Sequence, residues 1–192
     1  MKRAMKVAFA AAVCLCLAQV SLAQQERQRT RGGRDNNDQQ AVTDQDFVRM
    51  VSSDGLAEIN LARMAMEQGT NPEVKRFAQR LIDDHTKAND ALNRAANKMG
   101  VTPANTMDEK QRAMADRLMQ MRGAEFDRAY IHHMVRDHEK AIRLFEAEAK
   151  HGQNRDLQEF ASKTIPTLRE HLKTARELDS GRRDRGGQNR DR

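Results

Sequence analysis

The chain has 192 residues, a formal charge of +6 at neutral pH, 32% charged residues and only 4% aromatics, with no tryptophan. That composition suits one domain of ordinary size with polar appendages. It argues against a nucleic-acid reader, because the positive charge is concentrated at the ends and aromatic platforms are scarce.

The chain opens with Lys2, Arg3 and Lys6, an uncharged apolar run from Val7 to Val20, and then Ser21-Leu22-Ala23. A basic start, a run too short to span a bilayer and a small-residue site make residues 1–23 a secretory signal peptide cut after Ala23. Cys14 and Cys16, the only cysteines, lie inside the apolar run and not at a lipidation site. The exported chain, bound for the periplasm or cell envelope, is then expected to be free of thiols, disulfides and transmembrane segments. The signal holds three of the six surplus positive charges, residues 24–40 one and residues 180–192 three, which leaves the body of residues 41–179 at −1. Both basic tails lack apolar residues and are expected to be disordered, with weak contact to anionic envelope surfaces as their one functional prospect.

Between the tails, apolar residues recur every three or four positions, which predicts an all-α domain. Thr43 caps a first helix, followed by Asp44 and Asp46 and ended by Gly69. Asn71 with Pro72 opens a second, which runs to Gly100. After a linker containing Pro103, Thr106 and Glu109 read as a capping box for a short segment that stops near Gly123. A third long helix runs from about Ala124 to Lys150, and a fourth from near Asp156 to Asp179, with a kink expected at Pro166. Two helical hairpins joined by a longer connection predict a ferritin-like four-helix bundle with a crossover containing a short helix.

Steps of 100° per residue place an ionisable side chain mid-stripe on each long helix: Glu58, His85, His138 and His171. Counted from the helix ends, the four fall within about a turn of one level. Buried imidazoles and carboxylates must be paired or bound to metal. Two readings follow. One is a mononuclear site for a divalent transition metal, with Asp54 or Asp127 orienting the histidines. The other is a structural His/carboxylate layer that only fixes helix register, in a non-catalytic envelope or stress protein. His132 points away from the stripe and His133 lies at its edge, which disfavours a copper site at His132-His133-Met134. No nucleophile arrangement or phosphate-binding glycine loop is present, so no reaction is assigned.

Several segments resemble one exported bacterial family, known as domain of unknown function 4142. They are Phe77-Ala78 with Asp84-His85-Thr86-Lys87-Ala88-Asn89, Gly123-Ala124-Glu125-Phe126-Asp127-Arg128-Ala129-Tyr130, Met134-Val135-Arg136-Asp137-His138, and Thr164-Ile165-Pro166-Thr167-Leu168 with His171. The resemblance implies a ferritin-like fold and export but no activity. The outer-membrane label such proteins often carry conflicts with the lack of strand repeats. Di-iron bundles use Glu-x-x-His on two helices, whereas Ile82, Val135 and Leu168 stand three before the inward histidines. A single ion therefore suits these residues better than a ferroxidase pair.

Overall fold

A computed structural model of the chain describes residues 42–187, with side chains described as far as residue 181. The expected signal, the N-terminal tail and residues 188–192 lie outside the described residues.

The described chain is an all-α bundle of four long helices with a short one in the crossover: α1 Asp44–Gln68, α2 Pro72–Lys98, α3 Glu109–Met119, α4 Gly123–His151 and α5 Arg155–Gly187. None is long and apolar enough to cross a membrane. The ends follow local chemistry. Thr43 accepts from the Asp46 amide at the start of α1, and Asn71 from the Glu73 amide at the start of α2, with Pro72 in the first turn where a missing N–H costs nothing. Gly100 takes the left-handed backbone, φ +67°, that ends α2. The Asn154 side chain accepts from the Asp156 and Leu157 amides and starts α5.

The crossover cap differs from the expectation. Asp108 and Gln111, not Thr106 and Glu109, form the reciprocal capping box, and α3 ends at Met119. The Ser53 hydroxyl of α1 decides between the frames. It donates to the Gln111 carboxamide at 2.6 Å and accepts from the Asp108 amide at 3.1 Å, which fixes this frame onto the bundle. At the other end of the chain α5 runs on through Pro166 as one element. It also continues past Asp179 to Gly187, so the backbone of residues 180–187 is helical where a tail was expected.

Helices α1 with α2 and α4 with α5 form two hairpins, and α2 against α5 and α1 against α4 close the bundle. The core divides into two apolar clusters. One, around Leu61, Phe77, Leu81, Phe126 and Tyr130, lies toward the α1–α2 turn. The other, around Phe47, Leu92, Phe145, Leu157 and Phe160, lies toward the α4–α5 turn. On every long helix the mid-stripe ionisable residue falls between the stretches that build the two clusters.

Asp127, 1% exposed, holds the α1–α2 turn. Its Oδ2 accepts from the Thr70 amide at 3.3 Å, the Thr70 hydroxyl at 3.1 Å and the Asn71 amide at 3.0 Å. Removing a buried carboxylate that satisfies several donors strands them without water. We expect Asp127→Ala to cost about 2–4 kcal/mol, which lowers Tm by roughly 5–15 °C in a domain of this size. A thermal melt within a degree or two of the unsubstituted protein would show that the turn does not depend on it.

Candidate metal centre

Glu58 enters the layer from α1, His85 from α2, His138 from α4 and His171 from α5. Glu58, His138 and His171 are buried, at 3%, 0% and 1% exposure, and His85 is nearly so. Gly55, one turn before Glu58, lets α1 and α2 approach here. A Cβ at that position would collide with the Asn89 carboxamide of α2.

One ligand nitrogen each from His85, His138 and His171 lies within 4.8 Å of the others. The Glu58 Oε2 stands 2.6 Å from His85 Nε2 and 3.6 Å from His138 Nε2. Close as the first contact is, it is misdirected for a hydrogen bond, and both atoms lack a hydrogen-bond partner among the described residues.

Two neighbours fix the tautomers. His138 Nδ1 lies 3.0 Å from the Met134 carbonyl oxygen, which only accepts, so Nδ1 carries the proton. His171 Nε2 lies 2.9 Å from Asp84 Oδ2, so this nitrogen carries the proton of His171. The remaining nitrogens, His138 Nε2 and His171 Nδ1, face each other at 3.3 Å. When both rings are neutral, each presents a lone pair to the other with no proton between them.

The electrostatics keep those rings neutral. Burial depresses His171 to about 4 despite the Asp84 carboxylate, with His138 and His85 adding to the depression. Burial also depresses His138, against the pull of Glu58. At His85 the burial penalty is outweighed by Glu58, so this imidazole is shifted up. Glu58 is likewise opposed by burial, but His138 and His85 hold it well below the usual carboxylate range. The layer thus sets the close His85–Glu58 contact beside two neutral rings with apposed lone pairs.

Of the expected orienting carboxylates, Asp54 flanks the layer. Burial and the Glu58 charge push it up to about 6, while the Gln111 carboxamide of α3 donates to it. Asp127 does not serve this role. It precedes His138 by eleven residues, roughly 16 Å along α4, and its Oδ2 is committed to the α1–α2 turn. Asp84 orients His171 instead. Asp137 is pushed up to about 8 by burial and by Glu58, with which it shares a hydrogen bond, so it is the proton-bearing partner near neutral pH. Neither was expected, because each lies beside its helix's apolar stripe and not on it. His132 is exposed and His133 half-buried, and neither belongs to the three-histidine group.

A cavity of about 40 Å³ adjoins the layer, with His85, His171, Glu58, Asp84 and Asp137 among its walls. His138 does not line it.

The chain belongs to the family described as domain of unknown function DUF4142, whose profile matches residues 30–178. A search of curated proteins finds no match. Among solved structures the fold is shared with CopM in its Cu(I)-bound form, at TM-score 0.61 and 19% identity over 72% of this chain and 96% of that one. CopM in its Cu(II)-bound form gives 0.62 and 21%, over 72% and 97%. A DUF305 fragment from Deinococcus radiodurans gives 0.63 and 15%, over 72% and 97%. At such identities the likeness is one of fold.

Nitrogen-detected NMR of the metal-free protein at pH 7 tests the tautomers. We expect an unprotonated Nε2 on His138 and an unprotonated Nδ1 on His171. Titrated downward, His171 should stay neutral until about pH 4. A His171 that titrates near 6.5 like a free histidine would remove the lone-pair conflict.

Proposed function

We propose that this member of the family is an exported metal-binding protein, released by cleavage after Ala23, that holds one divalent transition-metal ion on His85, His138 and His171 with Glu58 beside them. The observation that carries this reading is the pair of lone pairs on His138 and His171, buried and facing each other at 3.3 Å. Two acceptors so close repel unless a cation stands between them. Two nitrogens about 2.05 Å from one tetrahedral ion stand roughly 3.3 Å apart. Imidazole donors suit zinc, copper, nickel and iron, and the similarly folded CopM has been solved in Cu(I)-, Cu(II)- and Ag-bound forms.

The surrounding residues fit that task. Met134 and Asp84 fix which nitrogen each ring presents, as partners behind metal-ligating histidines do. Glu58 supplies the negative charge a divalent ion needs at 3% exposure. A metal can bind His85 only in its neutral form, and Glu58 shifts that imidazole toward its protonated form, so affinity should fall on acidification. A bound ion would supply Lewis acidity, and redox capacity if it were copper or iron. The sequence assigns no reaction to either.

The alternative is a non-catalytic envelope or stress protein in which the His/carboxylate layer only sets register, and the 2.6 Å approach of His85 to Glu58 favours it. Metal titration separates the two. Mature protein purified without an affinity tag should take up about one equivalent of zinc or copper(II), and a hundredfold excess over Kd should raise stability by about 2.7 kcal/mol. His138→Ala should abolish uptake and His132→Ala should leave it intact. No metal-dependent change in Tm with zinc, copper, manganese or iron(II) would leave only the structural reading.

Export has its own readout. The intact mass of the secreted chain should begin at Gln24, and a mass that retains Cys14 and Cys16 would refute the cleavage.

A further inference from the structure

We propose that the histidine centre opens on a small cavity, and that a metal bound there keeps an exchangeable position for a small anionic or neutral ligand, which arrives through the groove between α2 and α5. The inference rests on the metal reading and concerns what the loaded site can bind.

Three observations carry it. First, the layer is asymmetric: Glu58, His85 and His171 line the 40 Å³ cavity, whereas His138 is not among its walls. An ion held by the three rings therefore has Glu58 and that cavity on its remaining side, and three protein nitrogens with a position left for exchange is the layout of metal sites that take up a ligand. The space is small. A water occupies about 10–15 Å³ on this measure, so the cavity takes about three water-sized molecules and excludes a five-membered ring.

Second, the cavity has an outlet. Asp84, Ala88, Thr164 and Thr167 line both it and a groove of about 470 Å³ between α2 and α5, whereas the residues the cavity shares with a groove of about 600 Å³ beside α3 and α4 are Asp54, Glu58, Asp137 and Ala141, three of them carboxyl side chains. Three of the four neck residues shared with the α2–α5 groove are small, and the fourth, Asp84, is 26% exposed while it holds His171.

Third, the groove selects by charge. Lys87, Arg94, Lys98 and Lys163 line it against Asp84, Asp156 and Glu159. Asp156 and Glu159 are neutralised locally by Lys98 at 2.8 Å and Lys163 at 2.5 Å. Asp84 is occupied by His171, with Arg80 at 3.5 Å and Lys87 at 3.9 Å. With its carboxylates so engaged, the groove carries a small positive excess, which favours monoanions and neutral molecules over free cations.

The test uses the full chain expressed with its own leader, purified untagged, loaded with one equivalent of copper(II) and freed of excess metal. Azide, a linear three-atom monoanion, should produce a saturable change in the visible and electron paramagnetic resonance spectra, and imidazole at the same concentration should not. Ala88→Leu and Thr167→Ile, which narrow the neck from facing helices, should keep copper stoichiometry and helicity but weaken the azide response at least tenfold. Copper bound stoichiometrically with spectra indifferent to azide would overturn the open position and leave the metal reading standing. An equal response to imidazole would overturn the size limit, and an unchanged azide response in both neck variants would overturn the route. Failure to hold copper, zinc or any other of the metals tested above removes both readings together.

Discussion

Two neutral imidazoles with their lone pairs apposed, walled in by four helices, set the constraint on which the rest of this bundle depends. In water each nitrogen would hydrogen-bond to solvent. In the bundle, His138 Nε2 and His171 Nδ1 face each other at 3.3 Å. The arrangement persists because each ring is held from behind, by the Met134 carbonyl and the Asp84 carboxylate, and neither can turn its N–H inward without giving up that bond. The apolar clusters above and below supply the favourable term. Phe47, Leu92, Phe145 and Leu157 on one side, and Leu61, Phe77, Leu81 and Phe126 on the other, are almost wholly buried, each contributing about 1.5–3 kcal/mol against the cost of the polar layer. Register follows. A slip of one turn in any helix would set an imidazole or Glu58 against leucine and phenylalanine, so the layer specifies the alignment that the hydrophobic residues stabilise without distinguishing.

Much of this was legible in the sequence because the signals are local. Thr43, Asn71-Pro72 and Gly100 act through bonds and torsions within a few residues of themselves, so helix ends could be placed from them. The four inward groups were legible because helical phase is fixed by 3.6 residues per turn. What escaped is non-local. The crossover contains two overlapping frames, Thr106-x-x-Glu109 and Asp108-x-x-Gln111. Only Ser53, more than fifty residues earlier, shows which one is used. Phase also says nothing about height. Asp127 shares a face with His138, yet eleven residues carry it to the end of the bundle, where Thr70 and Asn71 are its partners.

Asp84 and Asp137 show a further limit. One apolar stripe per helix treats the core as a single line, but in a bundle each helix meets two neighbours, and side chains that flank the stripe meet at those seams. Asp84 lies off the stripe of α2 and still reaches His171, because α2 packs on α5 as well as on α1. Asp137 lies off the stripe of α4 and reaches Glu58 on α1. The carboxylates that tune such a layer are therefore found next in sequence to its histidines, at positions a helical wheel assigns to neither core nor surface.

The crossover adds a kinetic dimension. Helix α3 buries only Ala115 and Leu118 and is held to α1 through Ser53 and Gln111, whereas each long helix buries several more of its residues. In a native-state hydrogen-exchange hierarchy such a segment opens well below the free energy of global unfolding. Because Gln111 also donates to Asp54, an opening of α3 would take that donor away while the four-helix frame stays closed. The protonation of Asp54 is thus tied to the crossover, and not only to the bundle that carries it.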